Sequence, residues 1–246
     1  MQQIHFRTAF LALFLAFSLL NSCSDSPADD HSTPLSIAQQ RPTWNGSEGG
    51  PVELNIAASW TANYRAAHPG EIEAHFFGSE ILNDLLGQSG AIGIRMYRAY
   101  DDDGDPVMVL VAADIYGNEI TSMYADWAFP CPKSCDLAGG ILSPTVGDGS
   151  QALNAQIGAS IDAGTALGWI ANYQNAHPQG IHAHFTGRAI LTDLLTQEDA
   201  VGIRIYYGIT ASEEEKVVLV ASKQNGHNIE NGIVADWTAP CPPYCK

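Results

Sequence analysis

Apolar residues fall first at helical spacing and then at strand spacing, and the same order occurs twice along the chain. Ile56, Trp60, Tyr64 and Ala67 are spaced four, four and three, which predicts one face of a helix. His68-Pro69 should stop it, because a residue before proline disfavours helical backbone. Asn55 is placed to cap this helix and Asp162 to cap its counterpart, since short polar side chains accept the first free backbone N–H groups. Residues 72–76 alternate and predict a short strand. Ile81, Leu82, Leu85 and Leu86 predict a second amphipathic helix. Ile92, Ile94 and Met96 then alternate with Gly93, Arg95 and Tyr97, giving a strand with one apolar and one polar face. Residues 101–105 read as a hairpin turn with Gly104 supplying positive φ, followed by strands over 107–113 and near 125–127.

The repetition is close. Trp60, Tyr64, His68, His75 and Arg95 recur as Trp169, Tyr173, His177, His184 and Arg204, all at an offset of 109 (169 − 60). After Gly117 and Gly226 the offset becomes 110 (236 − 126), and Asp126, Trp127, Cys131 and Cys135 recur as Asp236, Trp237, Cys241 and Cys245. A period this long is a duplicated domain, not a solenoid. Helices grouped before a meander indicate an α+β protein: two tandem homologous domains, each with two helices packed on a small antiparallel β-meander. The expected repeat domains are 52–138 and 159–246. A linker rich in Gly, Ser, Pro and Asp is expected over 139–158.

The first residues read as an address. Arg7 precedes an apolar run from Ala9 to Leu20 that is too short to span a bilayer and suits a signal sequence over 1–22. The run ends in Leu20, Asn21, Ser22 and Cys23, which resembles the lipobox of bacterial lipoproteins, with Asn21 departing slightly from it. Asp25, Asp29 and Asp30 resemble export signals of surface lipoproteins in Bacteroidetes-like bacteria, and the repeat looks like uncharacterised repeats of exported Bacteroidetes proteins. The resemblance implies cleavage before Cys23, acylation of its thiol, and an envelope location at the outer membrane or cell surface. The polar stretch 23–51, with Trp44 as its only Phe, Trp or Tyr, reads as a flexible tether.

Charge narrows the partners. The chain has 27 acidic and 11 basic residues, a net charge of −16; loss of Arg7 with the signal makes it 10 − 27 = −17. Such an excess repels phosphate, so nucleic acid and anionic headgroups are excluded, and the bilayer is met through the acyl anchor alone.

Candidate chemistry is sparse. Cys131 with Cys135 and Cys241 with Cys245 suggest a disulfide clip in each copy, the default for an exported protein. A four-cysteine zinc site across the copies is the lesser alternative. Glu73 with His75, and His182 with His184, share a face if they lie on strands, as ligands of a divalent metal could. The bland alternative is turn and surface histidines. Arg95 and Arg204, with Asp126 and Asp236, are candidates for a polar site that grips an anion; the alternative is a structural Arg–Asp bridge. Trp60 and Trp169 should belong to the core. Trp127 and Trp237 pack under the cysteine clips if buried, and suit stacking on sugar rings if exposed. No nucleophile elbow, zinc-protease, phosphate-loop or dinucleotide motif occurs. The first reading is therefore a non-catalytic, lipid-anchored envelope protein whose two modules bind a ligand or partner, without a cofactor. A metal-dependent envelope enzyme using the repeated histidines and a structural envelope assembly protein are the alternatives.

Overall fold

Four helices and two antiparallel six-stranded sheets make up an α+β protein in a computed structural model that describes residues 44–131, 139–147, 152–236 and 238–244. The signal segment, Cys23 and most of the expected tether lie outside them. The first copy supplies β1 (Gly50–Pro51), α1 (Leu54–Ala67), β2 (Ala74–Gly78), α2 (Ser79–Gly87), β3 (Gly93–Tyr100), β4 (Pro106–Ala113), β5 (Glu119–Asp126) and β6 (Phe129–Pro130). The second supplies β7 (Ala159–Ile161), α3 (Ala163–Ala176), β8 (Ala183–Gly187), α4 (Arg188–Leu195), β9 (Gly202–Ile209), β10 (Glu215–Ser222), β11 (Val234–Asp236) and β12 (Ala239–Cys241).

The copies are not tandem domains; they are interlocked. One sheet runs β1-β11-β10-β9-β2-β6 and the other β12-β8-β3-β4-β5-β7, so each takes three strands from each copy. β2 pairs with β9 of the other copy from Ala74↔Tyr206 to Gly78↔Gly202, and β8 pairs with β3 from Tyr97↔Ala183 to Gly93↔Gly187.

The two sheets share one core. Ile94, Met96, Met108 and Leu110 from one meander meet Ile203, Ile205, Val217 and Leu219 from the other, together with Leu82 and Leu85 of α2 and Leu191 and Leu194 of α4. The opposite sheet faces lie under α1, where Ala57 packs with Tyr206, Val218 and Val220, and under α3, where Ala166 and Ile170 pack with Tyr97, Val109 and Val111. Burial on both faces explains why β4 and β10 are nearly unbroken apolar runs instead of alternating ones.

Local expectations are corrected in several places. The buried face of α1 is Ala57, Thr61 and Tyr64, whereas Ile56 is exposed, so the predicted stripe was rotated by about one residue. Small residues face the sheet because helix and strands approach closely there. Asn55 is inside α1 and does not cap it; Glu53 is at the N-cap without a side-chain bond. Asp162 does cap α3, accepting from the backbone N–H of Gly164 and Thr165. The part of the expected tether that is described, from 44 on, is packed: Trp44 is buried against Phe185, and β1 pairs with β11. The described residues of the expected linker, 139–147 and 152–158, are also part of the fold. The Leu142 carbonyl accepts from Thr61 and Arg65, and Leu142, Leu153 and Ile157 are buried. Cys131 and Cys241 are each disulfide-bonded. Cys135 and Cys245, their expected partners, lie outside the described residues.

Candidate functional site

Arg95 and Arg204 belong to the architecture. Each sits mid-strand facing a helix, 2% and 0% exposed. Arg95 donates to Glu119 at 2.9 Å and to the Gly117 carbonyl, and Arg204 donates to Asn228 and the Gly226 carbonyl. Both therefore fasten a central strand to the turn after the next one, in place of the predicted anion grip. Their expected acidic partners do not join them. Asp126 lines a separate cavity beside Trp127 and accepts from the Ala128 backbone, while Asp236 accepts from Thr238. The acids that could have paired with the arginines in each second helix, Asp84 and Asp193, are exposed.

The proposed metal pairs are also separated by their partners. Glu73 accepts from Ser143 and Thr145 at 2.7 and 2.8 Å. His75 is buried edge-on to Tyr207. His182 bonds the His177 carbonyl, and His184 bonds Thr238. Among the described residues no three His, Cys, Asp or Glu side chains are grouped to hold a metal ion. Burial lowers the pKa of His75 to about 4 and, with the Arg98 and Lys216 charges, that of His184 to about 3, so both rings are neutral at pH 7.

What does converge lies where the two copies meet. A cavity of about 220 Å³ is lined by Tyr64, Tyr100, Tyr173, Tyr207, His68 and His177, with Arg98, Glu71 and Glu215 as its charged groups. Tyr64/Tyr173, His68/His177 and Arg98/Tyr207 are equivalents at the repeat offset, the last because 207 − 98 = 109. The prolines that follow His68 and His177 end α1 and α3, and each terminal histidine stacks on the tyrosine one turn earlier, at 4.5 and 4.4 Å between ring centroids. Tyr64 and Tyr207 lie 5.2 Å apart, and Tyr100 and Tyr173 also 5.2 Å. Tyr100 Oη meets His177 Nε2 at 2.9 Å.

Arg98 is the charged centre of this cage. Its guanidinium lies 4.7 Å over the Tyr207 ring, donates to Tyr173 Oη at 3.1 Å and meets Glu215 at 3.4 Å. Its side chain is 11% exposed, and Nε and Nη2 are buried with no hydrogen-bond partner. Burial opposes its charge, but Glu215, Tyr173 and Tyr207 outweigh that and hold its pKa above the ordinary value. Burial raises Tyr64 to about 12 against the lowering effect of Arg98, and raises Tyr207 as well. The Tyr64 and Tyr207 phenols therefore remain protonated donors. The cage combines guanidinium and phenol donors with the Glu71 and Glu215 carboxylates and aromatic faces. That set presents one guanidinium, two carboxylates and four phenol rings to a single small cavity.

None of the candidate site residues lines this cavity: Tyr64, Tyr173, His68 and His177 stand out in the sequence only as recurring residues, and Arg98, Tyr207, Tyr100, Glu71 and Glu215 do not stand out at all. The signal that could have found Arg98 is its parity with Ile94 and Met96, which puts it on the inward face of β3. No protein-family model, curated protein or solved structure matches the chain.

Proposed function

We propose that this protein is a lipid-anchored, non-catalytic binding protein of the cell envelope that holds one small zwitterion per chain in the cage around Arg98. The observation that carries the reading is a mostly buried guanidinium with unpartnered N–H groups, set among four tyrosines and two carboxylates. A ligand carboxylate takes Arg98, with tyrosine hydroxyls as further donors. A ligand ammonium lies towards Glu215 and Glu71, over the aromatic faces. Zero net ligand charge also suits a chain at −16, which would slow the approach of an anion. The site lies between the copies, so the duplication creates one site instead of two linked ones. The anchor rests on the lipobox-like residues 20–23.

Isothermal titration of the mature chain against the standard amino acids and glycine betaine, with citrate and choline as singly signed controls, tests the site. The expected result is one zwitterion bound per chain, weakened about tenfold or more in Arg98→Gln, whose melting temperature is checked alongside. Two ligands per chain, preference for a control, or affinity indifferent to Arg98 overturns it. The anchor is read separately: Cys23→Ser should move the protein from the membrane to the soluble fraction, and retention at the membrane without acylation refutes the lipid assignment.

A further inference from the structure

A second cavity, of about 200 Å³, opens beside the start of β4 and shares only Pro106 and Val107 with the first. Trp127 and Trp169 line it together with Asp101, Asp126 and His75. Trp127 is 65% exposed and holds φ at 61°, a left-handed conformation that a bulky residue rarely adopts. An indole left in solvent on a strained backbone, directly after a buried aspartate, is an arrangement that packing does not require. The second indole is fixed, since Trp169 Nε1 donates to Asp102 at 3.3 Å. His75 adds a buried Nε2 with no hydrogen-bond partner.

We infer that this cavity is a binding site for a neutral saccharide, with the two indoles as stacking surfaces and Asp101, Asp126 and His75 as hydrogen-bonding groups for its hydroxyls. Indole faces match the apolar C–H faces of a pyranose, and carboxylates accept from vicinal hydroxyls. Two carboxylates with no facing cation among the cavity residues disfavour acidic sugars. The site exists once per chain in this form. The second copy keeps His184, Asp236 and Trp237, but Thr210, Glu215, Lys216 and Thr238 replace Asp101, Pro106, Val107 and Ala128. That exchanges an apolar wall for a charged one.

The test is binding of the mature chain to neutral oligosaccharides (cello-, manno- and xylo-oligosaccharides) and to an acidic one, oligogalacturonate, read by tryptophan fluorescence and calorimetry. Millimolar or tighter binding to at least one neutral sugar is expected, weakened about tenfold or more in Trp127→Ala with the melting temperature unchanged. Arg98→Gln should leave sugar binding intact, which separates failure here from failure of the zwitterion site. No binding to any neutral sugar at millimolar concentration, preference for oligogalacturonate, or affinity indifferent to Trp127 overturns the inference.

Discussion

Expressed separately, residues 44–138 and 139–246 are expected not to form folded monomers, because neither half contains a complete sheet. The first half holds β3, β4 and β5 but not β8, which covers the edge of β3; the second holds β9, β10 and β11 but not β2. Each would expose its share of the core formed by Ile94, Met96 and Leu110 against Ile203, Ile205 and Leu219. A domain's net stability of about 5–15 kcal/mol does not survive loss of half its core. Two copies of one half can rebuild the exchange as a homodimer, and the two homodimers should differ. A first-half dimer brings two Arg98 side chains together where the intact chain has Arg98 over Tyr207. A second-half dimer brings together two tyrosines. Light scattering after size exclusion should therefore show the second half dimerising more strongly, and mixing the halves should give a 1:1 complex with the circular dichroism of the whole chain. A monomeric half with a native-like cooperative melt would refute the strand exchange.

The same contact explains what the sequence conceals. Recurrence between copies singles out Arg95, Arg204, His75 and His184; all four are buried, and the two arginines fasten strands to turns. Recurrence marks what each copy needs to hold itself together. Where position 98 meets its own counterpart, recurrence of the arginine fails for a physical reason: identical cations would face each other at short range, so positions 98 and 207 cannot both be arginine. The asymmetric centre of the site is thus the place where a repeat comparison is blind. The exchange of β2 and β8 was illegible for a related reason. Gly93, Ile94 and Arg95 recur as Gly202, Ile203 and Arg204, so β2 finds the same local partner in either copy. Alternation fixes which face is buried and not which copy supplies the neighbour. Helices, turns and the order of strands were readable because they depend on neighbours in sequence; the pairing depends on the connections.

Duplication of a binding module ordinarily offers avidity, two weak sites on one chain. The interlocked sheets give it a different consequence. A covalently joined pair can mutate one copy without the other. The cage thereby acquired Arg98 opposite Tyr207 and Glu215 opposite Pro106, since 215 − 106 = 109. A symmetric cage would recognise at best a symmetric ligand. One with a guanidinium on one side and a carboxylate supplied by a single copy can orient a molecule whose ends differ.

The crossing of the copies also sets the second large expected effect. Gly202→Ala should lower stability by about 3 kcal/mol, at the upper end of overpacking costs. Gly202 pairs with Gly78 at the end of the exchanged ladder, and an added Cβ would lie 2.1 Å from the Phe77 carbonyl oxygen and 2.5 Å from the Phe76 ring. Gly93 is in the same position against Thr186 and Phe185, so the constraint belongs to the crossing itself. Two backbones cannot move apart here without lifting β2 from β9 and α2 from the shared core. For a chain of this size that cost corresponds to a melting temperature roughly 6–12 °C lower. Gly168→Ala supplies the opposite sign. It lies within α3 with nothing within 4 Å of an added Cβ, so alanine should stabilise the protein by about 0.5–1 kcal/mol through helix propensity. Calorimetric melts of the two variants beside the parent chain decide the matter. If Gly202→Ala melts with the parent, the close approach of β2 and β9 is wrong, and with it the register through which the two copies are interlocked.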